Sequence, residues 1–171
     1  FIKELKKNGI RVIGTDCEAS SVGFYFCDKS YVVPNGQSPN FVREIIKIVK
    51  KEKADAIISG PEEELMPLSK NKKKIEAVGC LLLMPNYNVI EICADKKKTI
   101  QFFKKIGVKF PKTFENIDSA VFPCIIKPRF GRGSRGFFKL ADKKELEFYL
   151  KKVENPIIQQ FIEGEEYSID V

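Results

Sequence analysis

Over the first ninety residues, short runs of branched apolar residues alternate with amphipathic helical stretches, and this alternation leaves few folds open. Residues 1 to 8 carry a helical pattern, "IRVIGTD" reads as a strand and "YVVP" as a short extended edge. "FVREIIKIVKKEKAD" then places Phe41, Ile45, Ile48 and Val49 on one helical face. The strand "AIIS", a helix opening at "PEEEL" with Pro61 suited to its first turn, and the strand "LLLM" follow. Strand and helix in strict succession predict a parallel, Rossmann-like α/β sheet. A further helix, "ADKKKTIQFFKKIG", sets Ile100, Phe103 and Ile106 on one side and ends at Gly107. The chain opens inside a helix with no strand before it, and "EEYSIDV" alternates like a strand without a closing turn, so both ends are expected to be cut from a longer protein.

Beyond "FPKTF" the pattern changes to short strands around one helix. The strand "FPCIIKP" runs into Gly131, Gly133 and Gly136, spaced G-x-G-x-x-G and framed by Lys127, Arg129, Arg132 and Arg135, and "GFFKL" leaves the loop. Asp142 and Glu145 form a capping box for "KKELEFYLKK", and "PIIQQFI" is the next strand. A dinucleotide fingerprint needs its third glycine to open a helix, so that the helix N-terminus faces a pyrophosphate. Here a strand follows instead. A G-x-x-x-x-G-K-[ST] loop is absent. What remains is a β-hairpin whose tip folds over phosphates, with Ser134 and the amides of residues 131 to 136 as donors, or else a purely structural turn.

The chain has no histidine, which removes Ser-His-Asp and Cys-His catalysis and most zinc sites. Its five cysteines, at 17, 27, 80, 93 and 124, form no C-x-x-C pair and are odd in number, so they are expected as buried small apolar residues in a reducing compartment. There is no apolar run of membrane-spanning length, and the opening is unlike a signal peptide, so the expected location is cytoplasmic, with no membrane partner. The net charge of +7 comes from 25 lysines against five arginines, mostly on helices between apolar positions, where they form solvated faces. A basic nucleic-acid-binding α/β protein stays open as an alternative, and it predicts steeply salt-dependent binding to polynucleotides.

Asp95-Lys96, "FPCIIKP", "GRGSRG" and "IIQQFIEGEEYSIDV", in that order, resemble the nucleotide-binding half of the ATP-grasp ligases, in particular the carbamoyl-phosphate synthase large subunit and related carboxylate-amine ligases. The resemblance covers nearly the whole chain. It implies a Rossmann-like pre-ATP-grasp domain over residues 1–93, a linker helix over 94–111, an α+β lid subdomain over 112–158, and the start of the larger ATP-binding subdomain over 159–171. Its ATP contacts would be Lys96 and Lys127 on the phosphates, with Gly131, Gly133, Ser134, Arg135 and Gly136 in the loop above them. Gln159, Gln160 and Ile162 would lie along adenine and Glu166 on the ribose, with strand alternation grouping Glu166, Ser168 and Asp170 on one face. Relatives often carry glutamate where Gln159 stands, and glutamine keeps an acceptor for the exocyclic amine. The implied activity is formation of an acyl phosphate from ATP and a carboxylate or bicarbonate, followed by attack of an amine or ammonia. The magnesium ligands of such enzymes follow the stretch matching "EEYSIDV", so residues 1 to 171 by themselves are expected to be inactive. A non-catalytic ATP-binding regulatory module shares every one of these features.

Overall fold

The computed structural model describes residues 1–131 and 133–167 and divides into two compact units, Phe1–Ile90 and the residues from Glu91 onward.

In the first unit, α1 (Ile2–Lys7) leads into β1 (Ile13–Asp16), and a 3₁₀ turn (Val22–Phe26) returns the chain to β2 (Lys29–Val32), which pairs parallel with β1. Helix α2 (Phe41–Glu52) follows, then β3 (Ala56–Ile57), α3 (Glu62–Lys70), α4 (Lys72–Glu76) and β4 (Leu81–Leu82), with β3 and β4 again parallel. The expected parallel topology therefore appears as two strand pairs rather than one continuous ladder among the described residues. The apolar face of α2 buries Phe41, Ile45 and Val49 against Val33, Leu68, Ile75, Cys80 and Leu82, with Ile48 partly buried beside them. Pro61 caps α3 from outside instead of opening its first turn, and Pro67 stands within the helix, with no N–H to return to Glu63. Gly36 lies against that same peptide: a Cβ there would sit 2.6 Å from the Glu63 carbonyl oxygen.

Glu52, at the end of α2, closes the unit electrostatically. Its carboxylate accepts from Arg11 at 2.6 Å, from Lys29 at 2.7 Å and from the Tyr31 hydroxyl, so the segment leading into β1 and strand β2 share one buried acceptor at the end of α2. Those donors, Lys29 first and then Tyr31 and Arg11, hold the Glu52 carboxyl down to about 2.

A helix unforeseen in the sequence, α5 (Tyr87–Ala94), precedes α6 (Lys96–Ile106). Asp95 separates them as the cap of α6, its carboxylate accepting from the Lys97 and Lys98 amides. Gly107 ends α6 in the left-handed conformation, with Val108 N–H returning to the Phe103 carbonyl at 3.0 Å. Ile106, expected on the covered side of α6, is 52% exposed, because the helix is already ending there.

The second unit is built on an antiparallel sheet of β5 (Thr113–Phe114), β6 (Cys124–Pro128), β7 (Phe138–Leu140) and β8 (Pro156–Gln160), in the order β5-β8-β6-β7, with α7 (Lys143–Leu150) between β7 and β8 in sequence. One sheet face carries Phe114, Cys124, Ile126, Leu140 and Ile158, which pack with Leu146 of α7 and Val153. Asp142 caps α7 through the Glu145 amide at 3.0 Å, while the Glu145 carboxylate reaches the Ala141 amide at 2.7 Å, one residue earlier than a strict capping box. Of the cysteines only Cys80 and Cys124 are buried; Cys27 is partly covered, and Cys17 and Cys93 are exposed, contrary to the expectation from composition.

Candidate functional site

Strand pairing fixes which side chains share the sheet face opposite α7. Ile125 stands across from Gln159 on one side and Lys139 on the other, and Gln159 from Thr113, so Thr113, Gln159, Ile125 and Lys139 form one cross-strand row. The next row along pairs Lys127 with Ile157. Lys127 and Gln159 are thus on one face in successive rows, as alternation with period two requires. Gln159 is 3% exposed and donates from Nε2 to Thr113 Oγ1 at 3.2 Å.

Lys127 is the residue whose surroundings are least balanced. Its ammonium is partly buried and has no hydrogen-bond or ion-pair partner among the described residues. Burial pushes its pKa down, and the positive charge of Lys96 pushes it further. A protein seldom leaves a half-desolvated cation beside a second cation unless an anion completes the set.

Lys96 reaches this place from the first turn of α6. Its backbone N–H donates to the Arg129 carbonyl at 3.2 Å, and its ammonium donates to the carbonyls of Gly131 at 2.8 Å and Arg129 at 3.4 Å. Above it the loop between β6 and β7 bends through four left-handed residues: Gly131 (φ 111°), Gly133 (64°), Ser134 (55°) and Gly136 (71°). Phe137 N–H closes the turn on the Ser134 carbonyl at 3.2 Å. The segment is strand, loop, strand, and a helix does not follow the third glycine. Gly133, Ser134 and Arg135 are exposed, and Arg135 makes no ion pair among the described residues.

Arg129 was grouped in sequence with the cations available to phosphate, and the structure corrects this. Its guanidinium lies in a fork on Asp95, Nε to Oδ1 at 2.7 Å and a terminal nitrogen to Oδ2 at 2.5 Å. Asp95 is 3% exposed and its carboxyl is held below its ordinary value, first by Arg129 and then by the α6 amides. Its part in capping α6 and its pairing with Arg129 come from the structure.

The remaining expected contacts are placed unevenly. The Gln160 N–H donates to the Lys112 carbonyl at 2.8 Å, which leaves the Gln160 carbonyl as the backbone group in question. Ile162 is 60% exposed, past the end of β8. Glu166 is exposed in irregular chain instead of a strand, beside a Tyr167 hydroxyl that bonds to Glu165. Arg132, Ser168 and Asp170 lie outside the described residues. A cleft of about 590 Å³ at the β5 edge, bordered by Ile100, Thr113 and Ile157, does not include the loop or Lys127. Among the described residues no group of three or more His, Cys, Asp or Glu side chains gathers as a metal site, and no helix is long and apolar enough to cross a membrane.

A parallel α/β unit followed by an antiparallel sheet, with a glycine hairpin close to Lys96 and Lys127, defines an α/β protein with a candidate phosphate site. The chain belongs to the ATP-grasp superfamily: residues 1–83 match the family described as PylC-like, N-terminal domain, and residues 93–171 match the ATP-grasp domain. Carbamoyl-phosphate synthase of Methanobrevibacter smithii is 26% identical over 98% of this chain and 47% of that protein. D-alanine–D-alanine ligase of Fusobacterium nucleatum is 40% identical over 47% of this chain and 28% of that protein. The chain therefore spans less than half the length of these relatives. Among solved structures, the biotin carboxylase domain of Hydrogenobacter thermophilus 2-oxoglutarate carboxylase, in complex with MgADP, ADP and bicarbonate, superposes with a TM-score of 0.73 at 20% identity, covering 95% of this chain and 41% of that one. N5-carboxyaminoimidazole synthetase of Staphylococcus aureus, complexed with ADP, gives 0.74 at 16% identity, covering 94% and 43%. At these identities the structural likeness concerns the fold.

Proposed function

We propose that this chain is the ATP-binding N-terminal part of a carboxylate-amine ligase, and that Lys127 and Lys96 hold the phosphates of ATP beneath the glycine hairpin. The observation that carries this reading is the partly buried Lys127 ammonium, next to Lys96 and with no acceptor among the described residues. The bound nucleotide supplies a transferable γ-phosphoryl group. Lys127 offers it a compact charge from a rigid strand end, and the loop amides offer further donors without adding a side chain. Gln159, buried on the same face, is the side chain placed to read the base, with Ile125 beside it as an apolar surface. Ile162 and Glu166 are assigned to base and ribose on the resemblance.

The acid substrate is a small carboxylate or bicarbonate. Its oxygen attacks the γ-phosphorus as the bond to the β-phosphate bridging oxygen breaks, and an amine or ammonia then displaces phosphate from the acyl carbon. Magnesium is expected to assist that transfer, through ligands assigned on the resemblance to sequence following the "EEYSIDV" match.

The test is calorimetric titration of the intact protein and of Lys127→Ala with ATP, ADP and AMP. Loss of a charge-assisted contact should weaken ATP binding by about 1.5–3 kcal/mol and AMP binding by less. Unchanged ATP affinity in Lys127→Ala would refute the phosphate assignment.

A further inference from the structure

Lys127 is delivered by its strand, but Lys96 is delivered by a helix terminus, and three separate ties join that terminus to the chain just past Lys127. Asp95 grips the Arg129 side chain in a two-bond fork; the Lys96 N–H holds the Arg129 carbonyl; the Lys96 ammonium holds the carbonyls of Arg129 and Gly131. Arg129 is also fixed from the other side, its own N–H donating to the Asn155 carbonyl at 2.9 Å, in continuation of the β6–β8 ladder. Arg129 is therefore the junction between the sheet and α6. Charge bears on the junction: the positive charge of Lys96 acts on Lys127, and Asp95 neutralises Arg129, the third cation of this stretch.

We propose that Asp95 and Arg129 are a positioning pair for nucleotide binding, which holds the Lys96 ammonium beside Lys127 so that both lysines meet the same polyphosphate. This rests on the reading of Lys127 as a phosphate contact. An ammonium has three N–H donors, and the two carbonyls take two of them, so Lys96 keeps one for a ligand oxygen while it still anchors the loop. Neither Asp95 nor Arg129 touches the nucleotide. Their effect is exerted through where Lys96 stands, and it must therefore grow with the length of the phosphate chain.

Asp95→Asn and Arg129→Gln in the intact protein test this. Asparagine caps a helix as well as aspartate does, so the first variant removes the ion pair and leaves the α6 cap in place. Arg129 has a third of its side chain in solvent, so the second variant disturbs packing little. Each is titrated calorimetrically with ATP, ADP and AMP beside wild type and Lys127→Ala, and its thermal melt is recorded without ligand. Expected is a loss of about tenfold in ATP affinity, the scale of one misplaced charge-assisted contact, with a smaller loss for ADP and AMP within about twofold of wild type. Equal losses for ATP and AMP would show a merely structural tie and overturn the proposal. So would ATP affinity within twofold of wild type in both variants while Lys127→Ala binds poorly, or failure of both variants to fold. If instead Lys127→Ala binds ATP as wild type does, the phosphate site itself is misassigned, and the pair has nothing to position.

Discussion

Gly136 and Gly133 occupy the same loop with nearly the same backbone angle, φ 71° and 64°, yet alanine should be costly at one and tolerable at the other. A left-handed residue with a side chain costs about 1–2 kcal/mol at either position. At Gly133 a new Cβ meets nothing within 4 Å, so that is the whole cost. At Gly136 the Cβ would stand 2.9 Å from Cγ and 3.1 Å from Cδ of Pro128, whose ring is rigid and whose backbone is paired in β6. Relief requires the strand end to move, which adds about 1–3 kcal/mol. Pro128 directly follows Lys127, so the movement also disturbs the lysine. The assay is thermal unfolding of Gly133→Ala and Gly136→Ala followed by circular dichroism. A gap of about 2 kcal/mol corresponds to roughly 8–16 °C in a unit of this size, with Gly136→Ala the lower. Equal melting temperatures would refute the reasoning, since they would mean that contact with the Pro128 ring does not restrict the loop.

Two further outcomes follow from charge. Glu52, held down to about 2 against an ordinary 4.5, contributes stability that is complete above about pH 4.5 and lost as pH falls toward 2; Glu52→Gln should lower the melting temperature at neutral pH and flatten that acid-side slope, and an unchanged slope would count against the cluster. Lys127 has the opposite sign: its folded pKa lies below the unfolded 10.5, so its penalty is full at neutral pH and eases as pH rises through the folded value. A bound phosphate should restore its proton, so ATP binding at alkaline pH should take up protons, read from titrations in buffers of different ionisation enthalpy, and this uptake should vanish in Lys127→Ala.

The hairpin and the helix caps were legible because each depends on residue types a few positions apart. Glycine is favoured at the positive angles of residues 131, 133 and 136, and Asp142 finds its partner three residues on. The face of α2 was legible for a similar reason, its apolar spacing being strictly helical. Helix α5 was missed because "YNVIEICA" is apolar on several sides and buries only Ile90, so it shows no stripe. The role of Arg129 was hidden more deeply. Its partner is 34 residues away, and only the fold tells a cation tied to a carboxylate from one left open for a ligand. Lys127 and Gln159 could be placed on strands, but that they share a face depends on the β6–β8 register.

The order β5-β8-β6-β7 also sets the sequence of events during synthesis on the ribosome. The β6–β7 pairing is local and can form as soon as Leu140 has emerged. Strand β5 has no such option, since its only described sheet partner is β8, more than forty residues later. Phe114 must therefore wait until Pro156–Gln160 arrives to fill the gap between β5 and β6. The late strand that carries Gln159 is the same one that completes the core, so the side chain proposed to face the base is installed in the step that makes the sheet stable.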